Sequence, residues 1–104
     1  MSVYLILTQD VLDADRYRNE YGANVIPLLH KFGAEVVVAE HEAQVLEGAP
    51  VAGVVVLRFP NEEALNEFYH CPEYQPIKAI RHAVTTNANA VIAPEFDLGA
   101  RTAD

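Results

Sequence analysis

The chain has 104 residues, of which 51% are apolar and 21% charged, the values of a globular protein and not of a disordered one. Seven Lys plus Arg against 15 Asp plus Glu leave a net charge of −8, and such a surface repels phosphates, arguing against nucleic acid and against anionic membranes as partners. Cys71 is the one cysteine, so no internal disulfide forms; there is no basic leader segment and no run near the ~20 apolar residues of a membrane span, and the expectation is a cytoplasmic protein.

Ser2 to Thr8 is rich in β-formers and free of Gly and Pro, which predicts a strand. Asp10 to Asp13 supplies turn and cap chemistry, with Asp13 placed to accept from the first free amides of a helix. That helix runs from about Ala14 to Phe32. Tyr17, Tyr21, Val25, Leu28 and Phe32 fall on one face of it, Pro27 is expected to kink it, and Gly33 suits the left-handed position that ends it. Ala34 to Glu40, centred on three valines, predicts a second strand, which Gln44 to Glu47 extends beyond a turn at His41 to Ala43. Gly48 to Pro50 predicts a further turn, and Gly53 to Phe59 the clearest strand of the chain.

Pro60 and Asn61 open a second helix, with Asn61 as cap and Glu62 and Glu63 where the helix dipole favours negative charge. Ala64, Leu65, Phe68 and Tyr69 form its apolar face, and Pro72 ends it. A third helix starts near Gln75 or Pro76, with Ile77, Ile80 and Val84 as its buried stripe. Asn87 to Ala93 predicts a last strand.

The order strand, helix, strand, strand, helix, strand is the ferredoxin-like βαββαβ arrangement, an α+β fold with a four-stranded antiparallel sheet and its helices on one face. The domain is expected over residues 1–94, with a peripheral tail over 95–104. In Val54-Val55-Val56-Leu57 and Val36-Val37-Val38 both faces of the sheet are apolar, and helices cover only one. The other face is expected to pack on a second copy of the chain, giving a homodimer through sheet faces.

The run Phe59-Pro60-Asn61-Glu62-Glu63-Ala64, then Phe68-Tyr69-His70-Cys71-Pro72-Glu73-Tyr74-Gln75 and Arg81, resembles domain-of-unknown-function family 1330, small proteins of the dimeric α/β barrel superfamily. Tyr17, Tyr21, Pro27, Leu28, Phe32, Gly33 and Glu47-Gly48 fit the same pattern; Phe68 stands where Trp is usual and Cys71 where Ser is usual. The superfamily includes cofactor-free monooxygenases, lactone isomerases and haem proteins, so the resemblance implies a pocket for a small molecule. It does not choose the chemistry.

The histidines His30, His41, His70 and His82 form no i, i+4 metal pair, and Cys71 has no second thiol, so neither a metal nor another cofactor is expected. His30, near the end of the first helix, is the candidate general acid or base; its plainer reading is a surface cation completing a helix end. Five phenols, Tyr4, Tyr17, Tyr21, Tyr69 and Tyr74, suit either a pocket for an aromatic molecule or a core with wet hydroxyl tips. Tyr74 stands out because it lies in the motif. Arg58 interrupts an apolar strand on the face of Val54 and Val56, and is expected to pair with Glu40, Glu47 or a ligand carboxylate; Arg81 has the same two readings. Glu47 is a general base or an edge charge. The expected function is small-molecule binding in a pocket between helices and sheet, by a cofactor-free isomerase or monooxygenase with His30 catalytic and Tyr4, Arg58, Tyr69, Tyr74 and Arg81 holding the ligand. The alternative is a non-catalytic binding, sensing or dimerisation module.

Overall fold

The computed structural model describes residues 1–49 and 51–97. Strand β1 (Val3–Val11) is followed by helix α1 over residues 14–31, then β2 (Glu35–Glu40), β3 (Gly53–Phe59), α2 (Glu62–His70), α3 (Tyr74–Val84) and β4 (Thr85–Pro94). The sheet order is β2-β3-β1-β4 with every pairing antiparallel, which is the ferredoxin-like fold expected from the sequence.

Alternation sets the faces. Val3, Leu5, Leu7 and Gln9 of β1 and Val55, Leu57 and Phe59 of β3 are buried beneath the helices. They meet Leu65 and Phe68 of α2, Tyr74 and Val84 of α3, and Tyr17, Tyr21, Val25, Leu28 and Leu29 of α1 in one core. The intervening residues Tyr4, Ile6, Thr8, Val54, Val56 and Arg58 face the other way and are half-buried. Val38, 38% exposed, and Val91, 54% exposed, continue this open face, because they pair with Val56 and Ile6. All six residues of β2 are exposed. One face of the sheet thus carries the core and the other is an apolar surface without cover in the single chain.

Both predicted caps form. The Asp13 carboxylate accepts from the Arg16 amide at 3.1 Å and the Asn61 side chain from the Ala64 amide at 2.8 Å. Gly33, at φ +73°, takes the left-handed position after α1. Helix α1 continues through Pro27, and α3 begins at Tyr74, just before the expected Gln75 or Pro76; Pro76, in its third position, lacks only an amide that has no partner within the helix. Residues 44–47 do not extend β2, and Pro50 of the expected turn lies outside the described residues. Strand β4 starts two residues earlier than expected, because Thr85 and Thr86 pair with Val11 and Asp10 beyond a bulge. Asn87 sits at φ +54° where the register against β1 slips, and its side-chain amide donates to Asp10 at 3.0 Å. The expected tail begins within the sheet hydrogen bonding, since the Glu95 amide donates to the Ser2 carbonyl at 2.9 Å; residues 98–104 of it lie outside the described residues.

Helix α1 departs from the regular helix that the periodicity predicts. Its first turn, Ala14–Arg16, is α-helical, Tyr17–Gly22 is π-helical, and Ala23–Lys31 returns to α. The Ala23 amide donates to the Arg18 carbonyl five residues back, as a π turn requires. The buried rings of Tyr17 and Tyr21, at either end of this turn, have their centres 5.1 Å apart over the sheet.

Gly53 lies directly opposite Gln9 in the β1–β3 ladder. A Cβ built on Gly53 overlaps the Gln9 carbonyl oxygen, a backbone atom that moves only if the strands part. Gly53→Ala is therefore expected to lose about 2–3 kcal/mol, or roughly 10 °C or more of melting temperature in a chain of this size. A melting curve matching that of the unsubstituted protein would show that the strands open there freely.

Candidate functional site

The Tyr17 and Tyr21 rings line a cleft of about 110 Å³ between α1 and the β2–β3 side of the sheet. Val25, Ile26 and Leu29 form its helix wall, and Val36, Ala39, Val55 and Leu57 its floor. His41, just past β2, closes one end with its ring edge-on to Tyr17 at 4.9 Å. The lining is apolar except at the tyrosine and histidine end. That combination suits an apolar molecule oriented by a few polar groups.

Behind Tyr17 and Tyr21 lies a buried polar network. Arg81 is 1% exposed and Gln9 0%, so both are core residues. Arg81 Nη1 donates to Gln9 Oε1 at 3.3 Å, and Gln9 Nε2 donates to the Tyr17 hydroxyl at 2.9 Å. The Tyr21 and Tyr74 hydroxyls share a hydrogen bond of 2.9 Å. Arg81 Nη2 lies 3.3 Å from His82 Nε2. Because a guanidinium only donates, that nitrogen of His82 is the acceptor and the ring is neutral. Burial, followed by the charges of Arg81 and Lys78, lowers the His82 pKa below its ordinary 6.5. Burial raises the Tyr17 phenol and raises Tyr21 well above its ordinary value, so both stay protonated at neutral pH.

Arg81 Nε has no hydrogen-bond partner, and among the described residues no carboxylate lies within ion-pair distance of the guanidinium. A buried cation without an anion is costly, since its desolvation is not recovered by a partner. Such an arrangement makes Arg81 and the groups around it candidates for a functional site.

The residues singled out in the sequence fall into separate places. Tyr74 and Arg81 are in the buried network. Tyr69, half-buried on α2, borders a different cleft of about 210 Å³ with Leu5, Leu65, Asn66, His70, Ala90 and Ile92, and the Lys78 ammonium lies 4.6 Å from its ring centre. Tyr4 and Arg58 are on the open face of the sheet. The Tyr4 hydroxyl donates to Glu95 at 2.7 Å, which raises its pKa. Arg58 pairs with Glu35, its cross-strand neighbour, at 2.8 Å, and not with Glu40 or Glu47. His30 is exposed near the end of α1 and lines neither cleft. Gln9 and His41 were not among the sequence candidates, although alternation in β1 already places Gln9 on the buried face. Among the described residues no three His, Cys, Asp or Glu side chains are placed to hold a metal, and no helix is long and apolar enough to cross a membrane.

Solved structures share this fold. A protein of unknown function from Rhodopseudomonas palustris superimposes with a TM-score of 0.76 at 15% identity, over 92% of this chain and 83% of the other. A dimeric ferredoxin-like protein of unknown function from Bacteroides fragilis has a TM-score of 0.60 at 14% identity, over 90% and 96%. A variant of SnoaB, a cofactor-independent oxygenase from Streptomyces nogalater, has a TM-score of 0.58 at 12% identity, over 92% and 94%. No curated protein matches the sequence. The family model of a domain of unknown function, DUF1330, matches residues 2–96, nearly the whole length, and the chain belongs to that family.

Proposed function

We propose that the protein binds an apolar small molecule in the cleft between α1 and the sheet and, as a cofactor-free isomerase, moves a proton on it or, as a cofactor-free monooxygenase, removes a proton so that dioxygen oxidises the resulting carbanion, one oxygen atom entering the substrate and the other leaving as water. The observation that carries this reading is the cleft itself: apolar walls meeting two buried, protonated tyrosines on a π-helical turn, with an unpaired guanidinium behind them. The fold likeness to a cofactor-independent oxygenase agrees with it. Tyr17 and Tyr21 would contact the ligand, Tyr74 and Arg81 would support them, and His41, in place of His30, would be the proton carrier at the rim. Tyr4, Arg58 and Tyr69 have structural partners elsewhere and are not part of this site.

The working form is a homodimer joined through the open sheet faces. The uncovered valines of β2 and the apolar row Ile6, Val54 and Val56 support this, as does the dimeric state of the Bacteroides protein. The same reading takes residues 1–94 as one domain, supported by a single continuous core, and the cytoplasm as its location, where Cys71 stays a free thiol. A non-catalytic binding module would share the cleft and the dimer and differ only in lacking turnover.

Native mass spectrometry of freshly purified protein tests the cleft. The expected species is two chains with a retained small molecule. Ala39→Phe, an exposed floor position, should remove the small molecule and leave the dimer. A dimer free of ligand, or a species whose occupancy Ala39→Phe leaves unchanged, would count against the cleft.

A further inference from the structure

Hydrogen-bond direction in the buried network is fixed by chemistry alone. Arginine has donors and no acceptor, so the side-chain oxygen of Gln9 must face Arg81. The Gln9 amide nitrogen must then face Tyr17, and the Tyr17 oxygen accepts from it. The phenol's own proton is left to be donated elsewhere. Among the described residues no acceptor receives it, and the Tyr17 ring lines the cleft. Burial keeps that proton on the phenol at neutral pH.

Resting on the cleft as the ligand site, we infer that Tyr17 donates its hydroxyl proton to an oxygen of the bound ligand, that Arg81 and Gln9 are positioning residues that enforce this direction, and that the ligand is an acidic enol or phenol bound as its oxyanion. Three features select that class. The walls require an apolar body, since the lining outside the tyrosine and histidine end is hydrocarbon. A directed O–H requires an acceptor oxygen at that end. The unpaired charge of Arg81, two hydrogen bonds behind the donor, favours negative charge on that oxygen over a neutral carbonyl. The relay is a chain of donors pointing one way, from guanidinium to amide to phenol to ligand.

The test uses 4-nitrophenol and 4-nitrotoluene, which share ring and nitro group and differ in the ionisable hydroxyl. Absorbance titrations at about 0.15 M salt report the ionisation of bound nitrophenol and its affinity, while competition gives that of nitrotoluene. The unsubstituted protein should bind the nitrophenolate roughly tenfold to a hundredfold more tightly than the neutral phenol, the range of a hydrogen bond to a charged group. Tyr17→Phe should abolish that preference and keep nitrotoluene binding. Gln9→Glu is the sharper variant. A carboxylate at position 9 pairs with Arg81 and accepts from Tyr17, turning its proton away from the cleft. This variant should fold at least as stably, bind nitrotoluene unchanged and lose the preference for the phenolate. A merely structural network would leave the ionisation of the bound probe unmoved in both variants. Equal affinity for phenol and phenolate in the unsubstituted protein, or a preference that survives Gln9→Glu, overturns the inference and leaves the cleft standing. Binding of neither probe overturns the cleft as well.

Discussion

Val56→Asp is expected to give a folded monomer, and Val55→Asp, one residue away, an unfolded chain. The two positions lie on opposite faces of β3. Val55 is 8% exposed and packs beneath α1, so an aspartate there is a carboxylate in the core with no cation designed to meet it. Burying an unpaired charge costs several kcal/mol, a large part of the roughly 5–15 kcal/mol that holds a domain of this size together. Val56 faces the open side between Ile6 and Val38, where water reaches it in the single chain. An aspartate there leaves the monomer core untouched. In a two-fold dimer the same face comes from each partner, so the substitution buries two carboxylates near one axis. A dissociation constant weakened by at least about a thousandfold is expected, equivalent to some 4 kcal/mol. Sedimentation velocity reads the assembly and circular dichroism the fold. A Val56→Asp protein that sediments as a dimer at micromolar concentration would exclude sheet-to-sheet packing, and a well-folded Val55→Asp protein would contradict the register.

This contrast was legible in the sequence because period-two alternation in a strand ties each residue to a face as soon as one anchor is known. Val55, Leu57 and Phe59 oppose Val54, Val56 and Arg58 in the sequence as in the structure. The caps at Asp13 and Asn61 and the left-handed glycine at position 33 were legible for the same reason: each follows from a residue's own local chemistry. The site was less so. Tyr17 and Tyr21 fit an ordinary α-helical face equally well, and no residue type announces a π turn, which arises when tertiary packing favours a wider loop of backbone.

Arg81 shows a different kind of loss. Tyr74, Ile77, Arg81 and Val84 share one face of α3 at spacings of three, four and three, so the spacing already placed Arg81 toward the core. Arg81 was already a candidate for holding a ligand; what the usual rule that charges face water hid was its burial. For His30 the sequence shows a helix end with a favourable dipole but not a direction, and its exposed side chain lines neither cleft.

Arg81 also predicts an exchange of stability against binding. Replacing Gln9 and Arg81 together by methionine should raise stability by about 1–4 kcal/mol, the range found when a buried ion pair or triad gives way to apolar side chains of similar volume, because the unpaired guanidinium recovers less of its desolvation than a paired one. The guanidinium stays charged in the core and has no carboxylate to offset its desolvation, and its Nε has no hydrogen bond at all. Arg81→Met alone should gain less, because it leaves the buried Gln9 oxygen without its donor, a penalty of about 1–3 kcal/mol. Thermal and urea unfolding rank the three proteins, with the double variant highest. Both variants should also lose the preference for a phenolate, since the relay that directs the Tyr17 proton is gone. If the double variant instead melts far below the unsubstituted protein, as a core deletion does, then the charge is held by interactions that support the fold itself. A stable protein that no longer distinguishes the anion would mean that the buried arginine is retained at the expense of stability for what it does to the ligand.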